Sequence, residues 1–99
     1  IFIAKNNSLY TPPASDGALE GITREIVLEI AASMKMKVQQ TSLSLFDLYN
    51  AEECMLTGTA VGILPVREID GRRISKCPGP VFQLLKSKLN EIIQHETRQ

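Results

Sequence analysis

The chain of 99 residues has no tryptophan, one histidine and only two cysteines. Two cysteines are too few for a disulfide scaffold, and Cys54 and Cys77 lack the spacing of a zinc site. No metal site is therefore predicted, and a reduced, cytoplasmic protein is expected. The 11 basic and 11 acidic side chains leave no net charge, which argues against a nucleic-acid partner. No apolar run approaches the roughly 20 residues that a membrane span needs.

The residues that are present are typical of a globular domain. Apolar residues make up 43% of the chain and charged residues 22%, and this length allows one domain. The chain begins with Ile1 inside a strand-like run and without a methionine. We therefore expect it to be part of a longer protein.

Hydrophobic periodicity predicts strands that alternate with helices. Because strands follow one another directly as well as through helices, the pattern indicates an α+β fold with mixed and antiparallel strands and two main helices. The predicted strands cover 2–5, 9–11, 37–41, 53–57, 61–69 and 72–74; the long helices cover 22–34 and 81–94, and a short helix covers 45–51.

The charged side chains are expected on the surface of this fold. In the first long helix, Ile22 and Ile30 belong to an apolar stripe that should face the core, whereas Arg24 lies largely off the stripe. Glu52 and Glu53, between the short helix and a strand, are expected to be solvated.

Two short segments could bind an anion. Gly21-Ile22-Thr23 begins the first long helix, where free amides and the helix dipole favour negative charge. Thr57-Gly58-Thr59-Ala60 places two hydroxyls around a glycine between two strands. Taken alone, each segment has a simpler structural explanation: ordinary helix capping for the first, and a bulge or bend for the second. Their occurrence together in one short chain favours an anion site more than either does by itself. The chain contains neither a P-loop nor a Rossmann fingerprint.

The order and spacing of these segments resemble the signature of class IV pyridoxal-phosphate aminotransferases. The signature covers Ile1-Phe2, six further residues, Leu9-Tyr10-Thr11, seven further residues and Leu19-Glu20-Gly21-Ile22-Thr23-Arg24. The later segments resemble the branched-chain amino-acid aminotransferases: Leu56-Thr57-Gly58-Thr59-Ala60, Pro65-Val66-Arg67-Glu68-Ile69-Asp70-Gly71-Arg72 and Pro78-Gly79-Pro80.

The resemblance implies a fold and a set of site residues. Residues 1–99 would form one partial domain, the C-terminal portion of the large domain that binds pyridoxal 5'-phosphate in fold type IV enzymes. Leu19 would pack against the pyridine ring, and the backbone of Thr59 and Ala60 would face the substrate carboxylate. The implied cofactor-binding residues are Leu19, Gly21, Ile22, Thr23, Gly58 and Thr59.

The resemblance also implies a reaction that this chain does not complete by itself. The family's catalytic lysine lies upstream of the signature, so no residue here is assigned a catalytic role and the chain alone should be inactive. The longer protein would transfer an amino group between a branched-chain L-amino acid and a 2-oxo acid, as a homodimer or higher homo-oligomer.

Three alternatives remain open for the function. Val61-Gly62 and Leu64 depart from the branched-chain pattern beside the substrate loop. A D-amino-acid aminotransferase and an aminodeoxychorismate lyase share the scaffold. A non-catalytic module that binds phosphate or dimerises is the remaining alternative.

Overall fold

The computed structural model describes residues 1–13, 21–58 and 62–97, with side chains as far as Ile92. These residues form seven strands and three helices, which confirms the α+β prediction with two main helices. The strands are β1 (Phe2–Lys5), β2 (Ser8–Thr11), β3 (Lys37–Gln40), β4 (Glu53–Gly58), β5 (Gly62–Pro65), β6 (Glu68–Ile69) and β7 (Arg72–Arg73), and the helices are α1 (Ile22–Ser33), α2 (Leu45–Tyr49) and α3 (Pro80–Thr97).

Five of the strands form one mixed sheet in the order β3-β2-β1-β4-β5. The β2–β3 pair is parallel and the other three pairs are antiparallel. The single strand expected over 61–69 is wrong, because β6 leaves this sheet and pairs with β7 in a separate hairpin. Pro65 ends β5 at the sheet edge, where its missing N–H costs no ladder bond.

Side-chain alternation along the strands gives the sheet two apolar faces. Met55 and Ile63 point towards α1 and α3 and join the larger core cluster. Cys54 and Ile3 point to the opposite face, in a smaller cluster with Ile74. Burial raises the pKa of the Cys54 thiol to about 11, so this thiol stays protonated at neutral pH and is no nucleophile.

The expectation that Glu53 is solvated is wrong. Glu53 is 3% exposed, and its carboxyl group accepts hydrogen bonds from Val81 N at 3.0 Å and Phe82 N at 2.8 Å. These amides lie in the first turn of α3, where a carboxylate also interacts favourably with the helix dipole. Gly79 lies directly against this carboxyl group, and a Cβ there would overlap it. Glu53 therefore ties the start of β4 to the start of α3.

Within the described ranges, no helix is long and apolar enough to cross a membrane.

We predict that Glu53→Gln lowers the free energy of unfolding by about 1–3 kcal/mol, because buried amides lose a charged acceptor. Gly79→Ala should lower the free energy of unfolding by a similar amount, because the added methyl group would overlap the same carboxyl group. Glu52→Gln is the matched control: among the described residues the Glu52 side chain accepts one exposed bond, from Asn6 N, so the substitution should cost less than about 1 kcal/mol. Urea unfolding measures all three, and equal values for the two glutamate variants would contradict the role of Glu53.

Candidate cofactor-binding site

The structure brings the two predicted anion-binding segments together. The Thr23 hydroxyl donates a long hydrogen bond of 3.4 Å to the Gly58 carbonyl, across 35 positions of sequence. The first turn of α1 therefore lies against the end of β4. Leu19, Thr59 and Ala60 lie outside the described residues, so their predicted roles stay predictions.

The start of α1 leaves backbone amides available. Gly21 is the N-cap residue, and no side chain among the described residues caps the helix. The first helical hydrogen bond runs from Glu25 N to Gly21 O, so the amides of Ile22, Thr23 and Arg24 precede the helical ladder. We call Gly21, Ile22 and Thr23 the α1 turn.

The other two helices of the described chain differ from α1 at this point. The Ser44 hydroxyl caps α2 by accepting a hydrogen bond from Asp47 N at 3.2 Å. The Asp47 carboxylate in turn accepts one from Ser44 N, which completes a capping box. Glu53 caps α3. Side chains of this chain thus satisfy the first amides of α2 and α3, whereas at α1 no side chain of the described residues does so.

The glycine of the α1 turn is not required by its backbone angles. Gly21 has φ −104° and ψ 151°, an extended conformation that any residue adopts. A Cβ at this position would meet no described atom within 4 Å. Neither its backbone angles nor its described neighbours therefore require a glycine at this position.

Gly58 lies in the second segment, and Gly62 begins β5 beyond it. The two glycines are register partners at the ends of β4 and β5. Gly62 has φ +72°, which L side chains rarely adopt, and a Cβ there would lie 3.4 Å from a Leu89 methyl group. The positive φ explains glycine at position 62, whereas the carbonyl of Gly58 is bonded to Thr23 of the α1 turn.

A depression of about 370 Å³ lies along α1 and is partly lined by Gly21 and Ile22. Glu25 and Glu29 both line that depression, and two acidic side chains disfavour a bound anion there.

Two expectations about the first turn of α1 are wrong. Ile22 is 75% exposed rather than facing the core, and Arg24 is only 6% exposed. Arg24 shares the buried stripe with Val27 and Ala31, at positions i, i+3 and i+7. Its charge led to the wrong prediction, and its spacing from Val27 and Ala31 is the sequence signal that could have identified its buried position.

Comparison with known proteins gives this geometry its context. A family model described as amino-transferase class IV matches residues 1–69. That match covers more than half of the chain.

The chain belongs to the class IV aminotransferase family.

Individual relatives agree with this assignment. The chain is 46% identical over 93 residues to a Methanocaldococcus jannaschii protein provisionally named a branched-chain-amino-acid aminotransferase, covering 93% of this chain and 32% of that protein. It is 35% identical over 99 residues to the Escherichia coli branched-chain-amino-acid aminotransferase, covering 98% of this chain and 32% of that enzyme. The chain thus spans about a third of the length of these relatives.

Solved structures of class IV aminotransferases share the fold. The crystal structure of the E. coli branched-chain enzyme matches with a TM-score of 0.84 and 37% identity, over 87% of this chain and 29% of that one. The pyridoxal-phosphate form of the Thermobaculum terrenum branched-chain enzyme matches with a TM-score of 0.89 and 30% identity, over 93% of this chain and 31% of that one.

The two glycines around this site should respond differently to substitution. We predict that Gly21→Ala changes the free energy of unfolding by less than about 1 kcal/mol, because its backbone angles and space accept a methyl group. The same change should weaken pyridoxal-phosphate binding by obstructing the amides. Gly62→Ala should destabilise the fold by more than about 1 kcal/mol, because its φ is positive. Urea unfolding and cofactor titration measure these effects, and unchanged cofactor affinity in Gly21→Ala would contradict the site.

Proposed function

We propose that the protein carrying this chain is a pyridoxal-phosphate-dependent aminotransferase that moves an amino group between a branched-chain L-amino acid and a 2-oxo acid. The observation that carries this proposal is the contact between Thr23 and Gly58, which joins the two segments that the family resemblance assigns to the cofactor. The names of the relatives support the branched-chain substrate class.

The residues of the site fit a phosphate group. Phosphate oxygens are acceptors, and the α1 turn offers amides at the positive end of a helix dipole. The Thr23 hydroxyl has one proton, which it donates to the Gly58 carbonyl, so it would bond to the phosphate by exchanging that long bond for one to a phosphate oxygen. Charge neutrality of the whole chain does not oppose this, because backbone amides and hydroxyls hold the anion. The fit rests on donors that no described side chain uses.

The proposal gives each site residue of this chain a role in binding or orienting the cofactor or the substrate. The amides of Ile22 and Thr23 bind the phosphate, and Gly21 and Gly58 keep the backbone close to it. Thr59 adds a hydroxyl to the phosphate, and Leu19 packs against the pyridine ring. The backbone of Thr59 and Ala60 orients the substrate carboxylate. When bound, the cofactor supplies an electron sink for amino-group transfer.

The proposal assigns the catalytic lysine to the rest of the protein. Residues 1–99 would be the C-terminal portion of the large domain, and this chain alone would be inactive. The protein would act as a homodimer or higher homo-oligomer in the cytoplasm, in keeping with its two free cysteines, Cys54 and Cys77.

The substrate assignment is the finer part of the proposal. Val61, Gly62 and Leu64 depart from the branched-chain pattern, and all three follow the segment assigned to the substrate carboxylate. A D-amino-acid aminotransferase, an aminodeoxychorismate lyase and a non-catalytic module are therefore kept as outcomes of the test.

Amino-donor assays on the full-length protein test this proposal. We predict transfer from L-leucine to 2-oxoglutarate, no transfer from D-alanine and no cleavage of aminodeoxychorismate. Thr59→Val should weaken pyridoxal-phosphate binding about tenfold by removing a charge-assisted hydrogen bond. Thr41→Val, at an exposed threonine outside both segments, is the matched control with no such loss. Activity with D-alanine or aminodeoxychorismate instead of L-leucine would overturn the substrate class. The absence of cofactor absorbance would overturn the enzyme and favour a non-catalytic module.

A further inference from the structure

Arg24 is a charged side chain in a place that favours an apolar one. It lies in the first turn of α1, 6% exposed, and it occupies the same buried stripe as Val27. Burial of a guanidinium group is costly unless its charge is paired. A cation near a helix N-terminus is also disfavoured by the helix dipole. Packing alone therefore does not explain why a charged residue occupies this position.

The described partners of Arg24 are all neutral. Its Nη2 donates to the Pro12 carbonyl at 2.9 Å and to Gln40 Oε1 at 3.3 Å. Its Nε is buried and has no hydrogen-bond partner among the described residues. Within the same residues, the ion pair in the structure joins Lys88 and Glu91 and does not involve Arg24. The guanidinium charge therefore remains uncompensated in the described part of the chain.

These contacts connect α1 to the sheet at several points. Pro12 directly follows β2, and Gln40 ends β3, which pairs with β2 in parallel. The preceding residue, Thr23, bonds to Gly58 at the end of β4. Two consecutive side chains thus hold the first turn of α1 against three strands, on either side of the free amides.

We propose that Arg24 is a positioning residue for the cofactor phosphate, which rests on the function proposed above. It fixes the α1 turn against the ends of β2 and β3 and adds a buried positive charge behind the amides. Because a poorly hydrated charge is weakly screened, it raises the affinity of those amides for an anion. Arg24 acts through the turn, since its described bonds go to Pro12 and Gln40.

Comparing the binding affinities of pyridoxal phosphate and pyridoxal isolates the contribution of the phosphate group to binding. In the full-length protein, Arg24→Met should weaken pyridoxal-phosphate binding at least about tenfold and leave pyridoxal binding within about threefold. Arg24→Lys keeps the charge without the planar fork and should lose less. Gln40→Leu should produce a smaller loss of the same selectivity. Arg67→Met changes an exposed arginine away from the turn and should leave both affinities unchanged.

Absorbance titration, with thermal unfolding in parallel, separates the outcomes. Loss of phosphate selectivity in Arg24→Met with partial recovery in Arg24→Lys supports the proposal. Equal losses for both ligands would show a merely structural role and overturn it. If Arg24→Met does not fold, a wild-type selectivity in both Arg24→Lys and Gln40→Leu overturns it. Failure of the unsubstituted protein to bind either ligand would instead overturn the proposed function.

Discussion

The structure depends on one constraint, which is that the backbone amides at the start of each helix need hydrogen-bond acceptors. Each helix begins with N–H groups that have no intrahelical acceptor, and each needs one from elsewhere. The chain supplies Ser44 for α2 and Glu53 for α3. At α1, no described side chain caps the first turn, and Gly21 leaves open space beside it. The helix start that no described side chain caps is the one that the family resemblance assigns to an anionic cofactor group.

Packing on the sheet determines the direction of α1 and the position of its first turn. Strands β1 and β2 and the buried stripe of α1 share one core with α3, so the direction of α1 is set by apolar packing. Polar contacts then fix its first turn: Thr23 reaches Gly58, and Arg24 reaches Pro12 and Gln40. Burial stabilises the fold at large, and these few hydrogen bonds determine the geometry of the site.

Local sequence pattern predicted much of this architecture. The predictions were wrong where a charged side chain has its partners far away in the sequence. The helical stripe around Ile30 depends on neighbouring residues, so the sequence alone identified it. Glu53 and Arg24 were assigned to solvent because their charge is visible in sequence, whereas their partners are not. The acceptor of α3's amides lies 28 positions away, and Arg24's partners lie 12 and 16 positions away. The proximity of Thr23 to Gly58 likewise required the sheet topology.

The structure of the full-length protein with pyridoxal phosphate tests the central claim most directly. The account predicts the phosphate within hydrogen-bond distance, about 2.7–3.2 Å, of the amide nitrogens of Ile22 and Thr23. It also predicts that the phosphate lies on the Gly58 side of the α1 turn. A phosphate bound elsewhere, with the first amides of α1 bonded to a protein side chain instead, would contradict the account.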